Sequence, residues 1–119
     1  MSRPARVLSI CREGGALATR NEILRLGGYA VTTATDVGDA LATIDRQAFD
    51  LVIIGQRFDV AEKNLIATEA RRAGLKVLCM HSESQPPEVH AANAFIHNLD
   101  GPEQLLSAVA ALTERAASA

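Results

Sequence analysis

The stretch Leu51-Val52-Ile53-Ile54 decides the fold, because a strand that is apolar at every position must be covered on both faces of its sheet. Further runs of strand length, rich in apolar or β-branched residues, occupy residues 7–10, 30–34, 77–80 and 94–96. Stretches with helical spacing lie between these runs. Strand and helix therefore alternate along the chain, which predicts a parallel sheet with helices on both faces. The run at 30–34 is the most polar, and we expect it at an edge of the sheet.

The clearest helical patterns place apolar residues at i, i+3, i+4 and i+7. Two sets have this spacing: Val37, Ala40, Leu41 and Ile44, and then Leu105, Ala108, Val109 and Leu112. Asp100 and Glu103 have the spacing of a capping box before the second set, with Pro102 in the first turn. Weaker patterns over residues 16–26 and 61–73 end at glycines, and Arg20 and Asn21 interrupt the apolar face of the former.

The composition is that of one ordinary soluble domain, with 48% hydrophobic and 22% charged residues among 119. No linker divides residues 1–119, so we expect a single domain with no output domain. Twelve Lys and Arg against fourteen Asp and Glu form no basic cluster, and aromatic residues are only 3%, which argues against nucleic-acid binding. No apolar run suits a signal peptide or a membrane span, so we expect a cytoplasmic protein that does not bind membranes.

The two cysteines, Cys11 and Cys79, fall in apolar runs on the predicted first and fourth strands. The third strand separates them, so their Cα atoms should be too far apart for a disulfide. Their spacing is not that of metal ligands either. We expect both to be buried free thiols.

The order and spacing of several fragments resemble the receiver domain of two-component response regulators. These fragments are Arg6-Val7-Leu8-Ser9-Ile10, Gly28-Tyr29-Ala30-Val31, Asp39-Ala40-Leu41, Phe49-Asp50-Leu51-Val52-Ile53-Ile54, Phe95-Ile96 and Pro102-Glu103-Gln104-Leu105-Leu106. The resemblance covers nearly the whole chain. It implies an α/β fold, the flavodoxin-like (βα)5 three-layer sandwich, with a five-stranded parallel sheet in the order 2-1-3-4-5. The family's site lies at the carboxyl ends of the first, third and fourth strands.

The functional positions of the family are all occupied by other residue types. By this resemblance, Gly55 stands for the phospho-acceptor Asp, Cys11 and Arg12 for the acidic pair that holds Mg²⁺, His81 for the Ser or Thr that contacts the phosphoryl group, and Asn98 for the Lys that pairs with it. Mg²⁺ needs hard oxygen ligands, and Arg12 would repel it. The resemblance is therefore to a degenerate receiver, a pseudo-receiver, for which we expect no catalytic residue, no metal and no cofactor.

The fourth helix of the family should be shortened here. Fewer residues than usual for the family separate His81 from Asn98, and Pro86-Pro87 prevents a helix from starting before residues 88–93. Only a short turn should form there. Phe95 aligns with the switch aromatic that the family carries on the fifth strand, so a shortened helix beside it predicts a fixed surface instead of a switched one.

Several interpretations of the residues in the loop after the first strand stay open. Arg12 is either a built-in cation in the place of Mg²⁺, paired with Glu13, or an ordinary solvated side chain. Arg12 and the backbone N–H groups of Gly14 and Gly15, which precede a helix, could also hold an anion. Cys11 is either a thiol activated by Arg12 or a small buried hydrophobe.

Two further residues carry alternatives. His81 is either a hydrogen-bonded structural residue or a general base or phospho-acceptor. Asp59, in the loop after the third strand, is the nearest candidate for a displaced phospho-acceptor.

These features predict a non-enzymatic signalling module that acts by phosphorylation-independent contact with a protein partner, a signalling kinase or effector. Leu106 and Ala110 should project away from the apolar stripe of the last helix, which predicts an apolar patch and a homodimer through the fifth strand and last helix. The alternative is a flavodoxin-like module that binds a small anion or nucleotide in the vacated pocket. A regulator phosphorylated in an unusual way is the third interpretation.

Overall fold

The sheet has five parallel strands in the order β2-β1-β3-β4-β5. The computed structural model describes residues 4–12, 14–55 and 57–113. Its strands are β1 (Arg6–Ile10), β2 (Ala30–Ala34), β3 (Leu51–Ile54), β4 (Lys76–His81) and β5 (Ala94–His97), and its helices are α1 (Gly14–Leu26), α2 (Val37–Arg46), α3 (Val60–Arg72) and α4 (Pro102–Thr113). The predicted strand order and the edge position of residues 30–34 are confirmed. None of the helices in the described ranges is long and apolar enough to cross a membrane.

Strand β3 is covered on both faces, and all of its residues are fully buried. Val52 and Ile54 join an apolar cluster with Ile66 of α3. Leu51 and Ile53 join a second cluster, which α1 and α4 cover. This division follows from the two-residue period of a strand, which sends successive side chains to opposite faces.

The helix starts agree with the sequence in part. Asp36 caps α2, where its carboxylate accepts a hydrogen bond from a first-turn N–H at 2.7 Å. Helix α4 begins at Pro102, as its position predicts, but the capping box expected before it does not form. The Asp100 carboxylate instead accepts from the His97 N–H at 2.9 Å. Gly101, at φ +90°, makes the turn into the helix.

Residues 82–93 contain no helix, so the predicted shortening of the fourth helix is complete, and a turn lies at 90–91. Val89 of this segment is buried in the apolar cluster under α3. It thereby shields part of the sheet face that a helix would otherwise cover. Two side chains of α3 hold the segment in place. Asn64 and Arg71 donate to its carbonyl oxygens at 2.9 and 3.0 Å.

Candidate functional site

The carboxyl ends of β1, β3 and β4 meet at Gly55, which is buried. The Gly55 N–H donates to the Ile10 carbonyl oxygen at 2.8 Å. A Cβ at Gly55 would lie 2.9 Å from that oxygen and 3.3 Å from both Cβ and Sγ of Cys11. Side-chain carbons do not approach backbone oxygens so closely, so any residue larger than glycine must displace the backbone of β1.

Cys11 fills the space beside this glycine. Its side chain is buried, and its N–H donates to the Ala34 carbonyl oxygen at 3.1 Å, which ties the end of β1 to β2. Both Cys11 and Cys79 are free and buried, as predicted. Of the two interpretations of Cys11, this packing favours the buried hydrophobe.

Arg12 has a carboxylate partner on α3. Its Nη2 lies 2.5 Å from Glu62 Oε2, and its guanidinium carbon lies 4.8 Å above the ring of Phe58. The charge of Arg12 is therefore paired with Glu62, while 45% of the Arg12 side chain is exposed. The predicted partner, Glu13, lies outside the described residues.

Gly14 and Gly15 are the first two residues of α1, so the helix begins two residues earlier than the sequence predicts. Glu62 balances the charge of the neighbouring Arg12. Anion binding by this loop stays a prediction.

Asp59 is the N-cap of α3. Its Oδ1 accepts a hydrogen bond from the Glu62 N–H at 2.8 Å, and Glu62 Oε1 accepts from the Asp59 N–H at 3.0 Å. These two hydrogen bonds form a capping box at Asp59 and Glu62, whereas the sequence predicted one at Asp100 and Glu103. It gives the Asp59 carboxylate a structural role.

His81 lies buried at the end of β4. Its Nδ1 is 3.0 Å from the Glu83 carbonyl oxygen, and its ring makes edge contacts with Phe95 and His97 at centroid distances of 6.3 and 5.2 Å. The side chain of Phe95 thus packs against a histidine. The Asn98 N–H donates to the His81 carbonyl oxygen at 2.9 Å, while Asn98 itself is exposed. These contacts favour the structural interpretation of His81.

The fold places a buried cation, Arg20 of α1, across the end of β3. Its Nε donates to Ser9 Oγ at 3.0 Å, and its Nη2 donates to the Ile10 carbonyl oxygen at 2.9 Å. The third contact joins Nη1 to Met80 Sδ at 3.0 Å. No carboxylate of the described ranges pairs with Arg20, and burial lowers the pKa of its guanidinium against the opposing effect of Cys11.

A second buried cation, Lys63 of α3, approaches β4 from the other face. Its Nζ donates to the Met80 carbonyl oxygen at 3.1 Å, and its side chain is 1% exposed. The sequence carried a signal for each cation. Arg20 breaks the apolar face of α1, and Lys63 stands three residues before Ile66 on the buried side of α3.

Residues at the metal positions do not fit Mg²⁺. A thiol and a guanidinium, from Cys11 and Arg12, stand where hard oxygen donors are needed. Within the described ranges, no group of three His, Cys, Asp or Glu side chains could hold a metal ion. The buried cations Arg20 and Lys63 make this end of the sheet still less suited to a divalent ion.

The predicted patch on α4 is only half present. Ala110 is exposed, but Leu106 is half-buried and packs against the second apolar cluster. A Cβ at Gly27 would lie 2.9 Å from Leu106 Cδ2, which shows how closely α4 packs on the end of α1. The expectation that Leu106 projects away from the core is therefore wrong, because the small glycine lets α4 approach. The homodimer through β5 and α4 stays a prediction.

Comparison with solved structures identifies the fold as that of receiver (CheY-like) domains. A CheY-like response regulator receiver domain from Methanospirillum hungatei is 23% identical over 98% of this chain and 99% of its own, with a TM-score of 0.81. The Thermotoga maritima response regulator TrrA, in complex with Mg²⁺-BeF, is 22% identical over 91% and 98%, at 0.81. The receiver domain of a Pseudomonas aeruginosa sensor histidine kinase, with magnesium in its active-site cleft, is 16% identical over 94% and 99%, at 0.83. No family model and no curated protein matches the chain.

Proposed function

We propose that this chain is a pseudo-receiver, a receiver-fold module of signal transduction that acts through protein contacts without being phosphorylated and without catalysing a reaction. The observation that carries the proposal is the packing of Gly55. A phospho-acceptor side chain at this position would start 2.9 Å from the Ile10 carbonyl oxygen. The place of the acceptor is therefore occupied by backbone and by Cys11.

The surroundings support the same interpretation. Phosphoryl transfer is catalysed largely by positioned cations and metal ions that neutralise charge on the transferred group. Here the metal positions carry Cys11 and Arg12, and Arg12 is paired with Glu62. The nearest alternative acceptor, Asp59, is engaged in capping α3.

The surface next to β5 supports a role in fixed protein contacts. The segment of residues 82–93 replaces the fourth helix, and Asn64 and Arg71 of α3 bind its backbone. A segment held by buried Val89 and by these hydrogen bonds presents one shape to a partner. We propose a signalling kinase or effector as that partner and the cytoplasm as the compartment.

Intact-mass spectrometry after incubation with Mg²⁺ and acetyl phosphate tests the proposal. A conventional receiver domain treated in parallel is the positive control and should gain one phosphoryl group. We expect no gain for this chain. A gain of one phosphoryl group in the wild type would overturn the proposal. If that gain disappears in Asp59→Asn, Asp59 is the displaced acceptor.

A further inference from the structure

A cleft of about 360 Å³ opens on the face of the sheet that α1 and α4 cover, away from Arg12 and the capped start of α3. Apolar side chains, those of Ile23, Met80, Ile96 and Leu105, form much of its wall. The polar members of the lining include Arg20 and Asn98. Its volume falls in the range of small-molecule sites, which are mostly apolar with few polar groups.

Arg20 gives this cleft a charge without a counter-charge. The side chain is 6% exposed, and it donates to a hydroxyl, a carbonyl oxygen and a thioether, with the Cys11 thiol as a further neighbour. Nη1 of Arg20 contacts the thioether of Met80, which lines the cleft. A thioether is a weak acceptor, so Nη1 has the weakest partner of the three guanidinium nitrogens. Buried charges are ordinarily paired. An anion in the cleft would supply the missing partner.

The rest of the lining is compatible with negative charge. Among the described residues that line the cleft there is no Asp or Glu, and Gly101 and Pro102 bring the N-terminal end of α4 to it. Both ring nitrogens of His97 face backbone groups: Nδ1 accepts from the Leu99 N–H at 3.1 Å, and Nε2 lies 3.2 Å from the Ser82 carbonyl oxygen. Of the described lining residues, Arg20 is the only Arg or Lys.

We propose that the cleft binds a small monocarboxylate with an apolar chain. The carboxylate accepts hydrogen bonds from Arg20, and the chain contacts Ile23, Ile96 and Leu105. One guanidinium neutralises one negative charge, so a phosphate monoester dianion would leave net charge buried. A carboxylate with a hydrocarbon body suits both the charge and the walls. This inference does not depend on the proposed absence of phosphorylation.

Titration of the ¹⁵N-labelled full chain with hexanoate tests the proposal, with hexanamide as the uncharged probe of the same shape. We expect saturable shifts in the amide signals of residues 19–23, 80, 96–101 and 103–105 at millimolar hexanoate. Hexanamide should bind at least about tenfold more weakly, because it lacks the charge-assisted hydrogen bonds. Equal binding of the two probes, or no localised shift with hexanoate, would overturn the proposal.

Variants separate the site from a general effect of charge. Arg20→Met should weaken hexanoate binding at least about tenfold, whereas Arg25→Met, the same change at an exposed position of α1, should leave it unchanged. Ile23→Phe fills the cleft and retains Arg20, and it should also abolish the shifts, so the test holds even if Arg20→Met does not fold. Unaltered binding in Ile23→Phe, or equal loss in Arg25→Met, would overturn the proposal.

Discussion

The side chain of Cys11 lies against the α-carbon of Gly55, so closely that a Cβ at Gly55 would be 3.3 Å from its sulfur. The Ile10 carbonyl oxygen would be closer still, at 2.9 Å. Since β1 and β3 are neighbours in the sheet, the contact with this backbone oxygen cannot be relieved without moving a central strand. The packing of these strands therefore leaves no room for a side chain at Gly55.

We expect Gly55→Ala to lower the free energy of unfolding by about 1–3 kcal/mol, because its added Cβ overpacks the junction of β1 and β3. Gly55→Asp should cost about 3 kcal/mol or more, since it also buries a carboxylate. It should gain no phosphoryl group from acetyl phosphate. Urea unfolding and intact mass are the measurements.

Gly38 is the matched control for this pair. It lies in α2, and the nearest atom to its added Cβ would be Asp36 Oδ1 at 3.6 Å. Gly38→Ala should leave stability unchanged or raise it, because alanine favours a helix. A Gly55→Ala protein as stable as Gly38→Ala would contradict the packing argument.

Asp59→Ala should destabilise the protein by about 1 kcal/mol, the usual cost of losing an N-cap. Asp59→Asn keeps an oxygen that can accept from the Glu62 N–H and should cost much less. Urea unfolding followed by circular dichroism measures both. Equal losses in the two variants would show that the charge of Asp59, and not its cap, contributes to stability.

Stability should fall at alkaline pH because of Cys79. Burial raises the pKa of this thiol to about 11, whereas an unfolded cysteine titrates near pH 8.5. The unfolded chain thus loses the proton first, so the contribution is complete below about pH 8.5 and declines as the pH rises toward 11. The loss is about 3 kcal/mol at most.

Urea unfolding across this pH range, in the wild type and in Cys79→Ala, isolates the effect. The alanine variant starts from a lower stability because it leaves a small cavity, but its decline with pH should be shallower. Parallel declines in the two proteins would contradict the assignment to Cys79.

Lys63 should contribute to the stability of the fold through the volume of its side chain more than through its charge. Lys63→Met keeps the packing and removes a buried ammonium, so stability should stay within about 1 kcal/mol or rise. Lys63→Ala should cost about 3 kcal/mol, because it leaves a cavity under α3. Lys76→Met, at an exposed position of β4, is the control and should have no effect. If Lys63→Met were as unstable as Lys63→Ala, the hydrogen bond to Met80 would be the stabilising feature.

Leu106→Ala should destabilise the fold by about 1–2 kcal/mol, because the side chain packs over Gly27. Ala110→Asp, on the exposed face, should change stability by less than about 0.5 kcal/mol. If the chain forms the predicted homodimer through α4, sedimentation velocity should show that Ala110→Asp dissociates it. A dimer unaffected by Ala110→Asp would exclude this face.

The sequence alone determined the architecture of this protein. The apolar run of residues 51–54, the more polar run at 30–34 and the alternation of strand with helix are local patterns, and local periodicity reports which side of an element is buried. The residue types at Cys11, Arg12 and Gly55 also predicted, through a family resemblance, that the acidic site of receivers is missing. The prolines at 86–87 indicated that the family's fourth helix would not form in full between β4 and β5.

Tertiary structure decided what occupies the site. Arg12 pairs with Glu62 across 50 positions of sequence, and Arg20 contacts Met80 across 60. Such contacts depend on how α1 and α3 dock on the sheet, which no local pattern encodes. Leu106 is similar, because its burial follows from the approach that Gly27 allows. The sequence pattern can reveal that a cation interrupts an apolar helix face. Only the docked helices decide which acceptors the cation reaches and whether a counter-charge lies near it.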